Sequence, residues 1–342
     1  MSMQLKKFVL VPGILELYTN VTKIPLFLFG TNLTSLNQDS GKSMFSFKFL
    51  VLRNVANTSS VNQSAKYRDV TICGDITKKK IFFEKTLFPL VKIQLLLEEE
   101  LVPVLSCNYT YYRLFKFPVG DIPTPGETLS LLIGFYMTKK CLLPLRASAF
   151  SHENASTVLF GIKGSGKTTF LFDSVTNHGC RVVGEDTIVL NDTGAVYGTT
   201  HLSSKLKHTQ KALRDLGMNV KRNNAHSLSE LIAGTGGRIE GKAKVKHVIF
   251  LKRSPSVNTI KEIDLDTAIQ YILLLNRATY SYEKIPVMQT LLYSGDSYPN
   301  FRKLECDILR KALKDSTHLV IESQSPQKAS DLFFNSSFFK NV

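Results

Sequence analysis

The chain has 342 residues, 43% of them hydrophobic and 21% charged, with 20 Gly and 12 Pro; that length corresponds to about two domains, and the composition excludes extended disorder and fibrous repeats. The surplus of 43 Lys and Arg over 28 Asp and Glu leaves a net charge of +15, spread as 17 basic against 10 acidic residues up to 140 and 26 against 18 beyond. Only 78–80 and 242–252 are locally dense, and neither sits in a nucleic-acid-binding motif, so a polynucleotide partner is not expected; basic faces that attract a phosphorylated or acidic partner fit better.

The longest apolar runs, 24–30 and 129–137, are too short to span a bilayer, so no membrane association is expected. The first twenty residues read as mature sequence because Pro12 and Gly13 interrupt their apolar stretch. Five well-separated cysteines form no metal or disulfide pattern, which places the protein in a reducing cytoplasm.

In chain order, 6–11, 25–29, 45–52, 69–73 and 80–83 read as short strands. They are divided by Asn, Ser, Gly and Asp clusters at 31–43 and 56–64. Residues 87–101 read as a helix and 109–118 return to a strand pattern. Three prolines and two glycines in 118–126 mark a linker, so the expected domains are 1–120, β-rich and substrate-selecting, and 121–342, catalytic. Beyond it come a helix over 128–139 opened by Glu127, a strand over 142–150, a turn at 154–157 and a strand over 157–160. No repeat or low-complexity segment is present.

The motif with the sharpest chemistry follows that strand. Residues Gly161, Lys163, Gly164, Ser165, Gly166, Lys167, Thr168 and Thr169 belong to a full match to G-x-x-x-x-G-K-[ST]. A strand before it and a helix over 168–177 after it would aim successive backbone N–H groups and a helix N-terminus at phosphates. The glycines let the backbone approach the oxygens, Lys167 places a mobile charge on the β and γ phosphates, and Thr168 offers its hydroxyl to Mg²⁺. Gly179 stands where a helix C-cap glycine belongs.

Three short strand patterns come next, 180–183, 187–190 and 195–197, with no helix between them. Antiparallel pairing is therefore expected, which disfavours a doubly wound GTPase-type core. Glu185 and Asp186 end the first of these strands, where one carboxylate could hold Mg²⁺ and the other orient the attacking hydroxyl. Farther on, 201–224 read as a basic amphipathic helix and loop, and none of the seven His has metal-ligand spacing.

The succession of 145–150, the glycine-rich loop, and the stretch His178 to Asp186 with its hairpin resembles the HPr kinase/phosphorylase-like superfamily. The strand 245–253 and the helix 266–275 extend the resemblance to about 145–280. It implies an α/β fold: a P-loop core with a mixed parallel/antiparallel sheet of HPr kinase/PEP carboxykinase type, plus a β-rich N-terminal domain. It also implies ATP and Mg²⁺ as cofactors and phosphorylation of a hydroxyl, commonly a serine. Lys167 and Thr168 carry over unchanged; Glu185 falls at the family's presumed base and is expected to position the acceptor hydroxyl, and Asp186 matches the second Asp and is expected, with Thr168, to bind Mg²⁺. Arg146 stands where the family has His. Residues 232–240 only echo the bifunctional signature, so neither the phosphorylase reaction nor HPr as substrate is expected. Arg238 within that stretch is a candidate to stabilise the transferring phosphoryl group.

The expected protein is thus a cytoplasmic ATP-dependent kinase acting on an acceptor peptide, protein or small molecule, with a homo-oligomer left open. Two other readings stand beside it: an NTPase that drives a partner, and a nucleotide-sensing module without chemistry.

Overall fold

The computed structural model describes residues 4–340 apart from 31, 34–42, 56–62, 68–69, 76–79, 89–90, 115, 117–122, 154, 200–213, 215, 217–238 and 295–297. The chain divides into two compact units, Met1–Tyr136 with Ser281–Arg302, and Met137–Tyr280 with Lys303–Val342. Both are mixed α/β with sheets that combine parallel and antiparallel pairs. Among the described residues no helix is long and apolar enough to cross a membrane.

The first unit is built on eight strands: β1 (Lys6–Val11), β2 (Leu15–Thr19), β3 (Phe45–Leu52), β4 (Gln63–Tyr67), β5 (Val70–Asp75), β6 (Lys80–Phe88), β7 (Val91–Glu98) and β8 (Val104–Asn108). Their order across the sheet is β1-β2-β3-β8-β7-β6-β5-β4, with β2/β3 and β3/β8 parallel. Strict alternation of buried and half-buried residues in β3 puts Phe45, Phe47 and Phe49 on one face, as a period of two demands. Two helices follow, α1 (Tyr109–Leu114) and α2 (Pro125–Thr138). The latter starts at a reciprocal cap: Glu127 N donates to Thr124 Oγ1 at 3.2 Å and Thr124 N to Glu127 Oε2 at 2.8 Å, satisfying two otherwise orphaned donors.

Three sequence expectations fail in this unit. The described residues of 87–101 contain no helix; they hold the end of β6 and all of β7. Val91, Ile93 and Leu95 alternate with Lys92 and Gln94 at the period of a strand, and β7 is fixed by ladders to β6 on one side and β8 on the other. Residues 25–29 form turns rather than a strand, with Leu26 at φ 57°. That segment lies so close to α2 that a Cβ on Gly126 would come within 2.1 Å of Pro25 O. Residues 109–114 are helical where a strand was expected.

The second unit carries nine strands. β9 (Leu142–Leu145) and β10 (Ser148–His152) replace the single strand expected over 142–150, because the chain breaks at Arg146 and Ala147. β11 (Ala155–Phe160) leads to α3 (Lys167–His178), then β12 (Arg181–Gly184), β13 (Ile188–Asn191) and β14 (Ala195–Gly198). After β15 (Lys242–Arg253) come β16 (Thr259–Glu262) and α4 (Leu265–Arg277); α5 (Pro286–Ser294) belongs to the first unit. The chain ends with α6 (Tyr298–Leu313), β17 (Thr317–Ser323), α7 (Pro326–Phe334) and α8 (Ser337–Lys340).

β11, β15 and β17 are mutually parallel neighbours, whereas β10, β13, β14 and β16 pair antiparallel. Successive residues of the central strands face opposite layers. Val158, Phe160, Val248 and Phe250 pack with Ile269, Ile272 and Leu273 of α4 and Ile308 and Leu309 of α6. Leu159, Ile249 and Leu251 pack with Phe170 and Leu171 of α3 and Phe333 and Phe334 of α7. A sheet covered on both faces explains why these strands read as near-continuous apolar runs.

Candidate active site

Three parallel strands, β11, β15 and β17, end at the same edge of the second unit, and β12, antiparallel to β10, points the same way. Carboxyl ends of parallel strands are where open α/β sheets bind ligands.

Residues 161–166 make the turn from β11 into α3. Gly161, Gly164 and Gly166 take φ of 156°, 86° and 100°, the positive-φ region open to glycine without strain. Two of them are also crowded. A Cβ on Gly161 would sit 2.4 Å from Ser165 Oγ and 2.9 Å from Leu251 O, and one on Gly166 would strike the Pro326 ring at 2.4 Å. The loop is thereby wedged between the end of β15 and the first residue of α7. Lys163 and Gly164 lie exposed at its tip. Ser165 is buried and its hydroxyl has no hydrogen-bond partner among the described residues. Thr169 is half-buried on the first turn of α3.

Lys167 Nζ turns back over its own loop, donating to Gly161 O at 2.7 Å and reaching Ile162 O at 3.4 Å. Those carbonyls hold the ammonium over the ring of backbone that the glycines shape. Thr168 Oγ1 donates to Glu185 Oε1 at 3.1 Å, joining the start of α3 to the end of β12. Glu185 is largely buried, at 8% exposure.

Asp186 lies beside a different partner. Its carboxylate Oδ1 is 3.2 Å from Arg146 NH2, in the break between β9 and β10, and its backbone has φ of 68°. The sequence reading gave Asp186 to the metal alongside Thr168; the residue facing Thr168 is Glu185.

Two residues that no motif announced stand behind this pair. Asn276 Oδ1 accepts from Arg146 N at 3.1 Å while its Nδ2 donates to Pro144 O at 3.2 Å. Tyr280 is fully buried, and its N donates to Asn276 O at 2.7 Å. Burial pushes the Tyr280 phenol well above its usual range; Arg146 pulls it down and Asp186 pushes it up, which sets both charges close to the ring. A signal for Asn276 was available: it continues the stripe Ile269, Ile272, Leu273 at helical spacing, a polar residue at a buried position. Arg238 and the glycine-rich stretch 234–237 lie outside the described residues, as does nearly all of 201–224; the described chain resumes at Ile239, bridged to Val182 of β12.

Among the described residues no group of three His, Cys, Asp or Glu side chains is placed to cage a metal. The hard oxygen donors Thr168 and Glu185 fit a cation that takes one or two protein oxygens and completes its shell with phosphates and water, as Mg²⁺ does.

No protein-family model matches the chain, and no curated protein is similar to it in sequence. Among solved structures, the Hpr(Ser) kinase/phosphatase from Coxiella burnetii matches 58% of this chain and 99% of its own, at 9% identity and a TM-score of 0.29. A likeness that loose carries no weight for activity.

Proposed function

We propose that the second unit is a Mg-ATP-dependent phosphotransferase that moves the γ-phosphoryl group to a hydroxyl on a peptide, protein or small molecule. The observation that carries this reading is the hydrogen bond from Thr168 to Glu185, which puts a phosphate-loop hydroxyl and a strand-end carboxylate on one cation-sized locus. The resemblance to HPr-kinase-like proteins in 145–280 points the same way, and the β-rich N-terminal region is the proposed selector of the acceptor.

In this reading the amides of 162–167 and the N-terminus of α3 hold the polyphosphate. Lys167 leaves the carbonyls of Gly161 and Ile162 for the β and γ phosphates. Thr168 and Glu185 would hold Mg²⁺, whose charge offsets that of the phosphates and of the two carboxylates. Asp186, paired with Arg146 rather than with Thr168, takes the acceptor. Its carboxylate accepts the hydrogen bond of the attacking hydroxyl, the oxygen bonds to the γ phosphorus, and the bond to the bridging oxygen breaks. ADP leaves with that electron pair, and the hydroxyl proton passes to Asp186. Residue roles at 185 and 186 are thus exchanged relative to the sequence reading.

The test is transfer of label from γ-labelled ATP to host-extract components, identified by mass spectrometry. Glu185→Gln should lower kcat by about 100-fold and raise the Mg²⁺ concentration needed for half-maximal rate. Unchanged rate and Mg²⁺ dependence would remove Glu185 from the cation site.

A further inference from the structure

Asp186 sits in the left-handed backbone region, φ 68°, which a non-glycine residue keeps only where its surroundings hold it. Three features of the second unit hold it. Thr187 N donates to Glu185 O at 2.9 Å, closing a tight turn around residue 186. Arg146 NH2 meets Asp186 Oδ1 at 3.2 Å with the two side chains only 27% and 12% exposed. Arg146 itself cannot drift, because Asn276 grips the chain as it leaves β9, at Pro144 O and at Arg146 N in the break.

Asn276 is an expensive residue to place there. It is 5% exposed on the apolar face of α4, and a buried amide contributes only where its hydrogen bonds are made. Both side-chain bonds go to the chain around Arg146, one to Pro144 O of β9 and one to Arg146 N in the two-residue break. An apolar residue would serve the packing of α4 as well. What Asn276 adds is a fixed position for Arg146, and what Arg146 adds is a fixed direction for the Asp186 carboxylate. Tyr280, next turn along the chain and fully buried, donates its N to Asn276 O at 2.7 Å and so ties the end of α4 to the same anchor.

The geometry points to Arg146 as a positioning residue for the phosphoryl-transfer step, anchored by Asn276 and acting through Asp186. This rests on the proposed phosphotransferase reading and adds to it a role that neither the phosphate loop nor the acidic pair contains. Arg146 orients the carboxylate that receives the acceptor hydroxyl, so the acceptor approaches over the start of β10. Arg146 contributes to turnover and not to the grip on nucleotide, which belongs to the loop and Lys167.

The experiment is steady-state ATP turnover by the full chain, with ATP dissociation constants measured separately by calorimetry. Arg146→Ala should lower kcat about 10–100-fold while the dissociation constant of Mg-ATP stays within about threefold. Asp186→Asn alone and the Arg146→Ala/Asp186→Asn double variant should turn over at the same rate, because a residue acting only through another has nothing to lose once that one is gone. Added guanidinium should restore part of the Arg146→Ala rate, and Arg146→Lys should fall between wild type and Ala. Should Arg146→Ala not fold, Arg146→Gln, which keeps the stem, carries the same comparison. A kcat within threefold of wild type, or a double variant slower than Asp186→Asn by the full Arg146 factor, overturns the positioning role alone. Wild-type protein that takes up no Mg-ATP overturns the phosphotransferase reading and this role with it.

Discussion

In the eight-stranded sheet, polar side chains that meet across strands satisfy one another. Lys92 Nζ lies 2.9 Å from Glu84 Oε1, Gln94 Nε2 donates to Glu84 Oε2 at 2.8 Å, and Lys80 meets Glu98 at 2.5 Å, all between β6 and β7. At the strand ends of the nine-stranded sheet the chain instead turns through positive φ and leaves a buried hydroxyl unpaired among the described residues. Gly161, Gly164, Gly166 and Asp186 all have positive φ, and the Ser165 hydroxyl is buried without a hydrogen-bond partner among the described residues. Cross-strand pairs of the first kind are ladder chemistry, each worth a fraction of a kcal/mol. The left-handed Asp186 and the unmet Ser165 hydroxyl both lie at that end of the sheet.

The sharpest way to break this contrast is to remove the crowding that shapes the strained end. A Cβ on Gly198 would lie 1.6 Å from Val183 O, so β14 and β12 can approach only because residue 198 has no side chain. Gly198→Ala should destabilise the second unit by about 3 kcal/mol, since overpacking against backbone has no rotamer to relax into. A chemical-denaturation midpoint near that of wild type would show that β12, and with it Glu185, is less constrained than described.

A smaller effect concerns the buried middle of the same sheet. His247 of β15 is 3% exposed, lies edge-on to Phe333 at 5.4 Å, and has no hydrogen-bond partner among the described residues. Burial, with the Lys246 charge second, pushes its imidazole down to about 4. The unfolded chain takes up that proton near pH 6.5 and the folded one near 4. Stability is therefore constant above about 6.5 and falls as pH drops through the window, by at most about 1.4 kcal/mol per pH unit. His247→Leu should flatten that acid slope, measured as urea midpoints at pH 5 and 7.5. An unchanged slope would place the titration elsewhere.

The smallest effect belongs to the ladder. Lys92 is about half exposed, with a side-chain exposure of 54%, so Lys92→Ala should cost less than about 1 kcal/mol and leave nucleotide turnover untouched. A larger loss in a denaturation curve would mean that β6 and β7 depend on this pair.

What the sequence made legible was what is contiguous along the chain. The glycine-rich turn into α3, the helix opened by Glu127, and the helix stop at Gly179 each lie within a dozen residues, so their geometry follows from local chemistry. The strand β7 was misread although Val91, Ile93 and Leu95 alternate with Lys92 and Gln94 at the period of a strand; the apolar stretch Leu95 to Leu97 blurs that period, and the ladders to β6 and β8 decide the conformation. Nor was the Asn276–Arg146–Asp186 chain, whose members come from α4, the β9–β10 break and the end of β12. The pairing of Thr168 with Glu185 rather than Asp186 depends on how the chain turns after Gly184, where the left-handed residue at 186 swings the two neighbouring carboxylates toward different partners.

Titration of Mg-ATP into the full-length protein by calorimetry tests the central claim most directly. The account predicts saturable uptake of one nucleotide per chain, weakened when Mg²⁺ is chelated and abolished or nearly so in Lys167→Ala. At about 4 Å and an effective dielectric of 20, that charge is worth about 4 kcal/mol against a phosphate. Heats indistinguishable from dilution at millimolar Mg-ATP would contradict it.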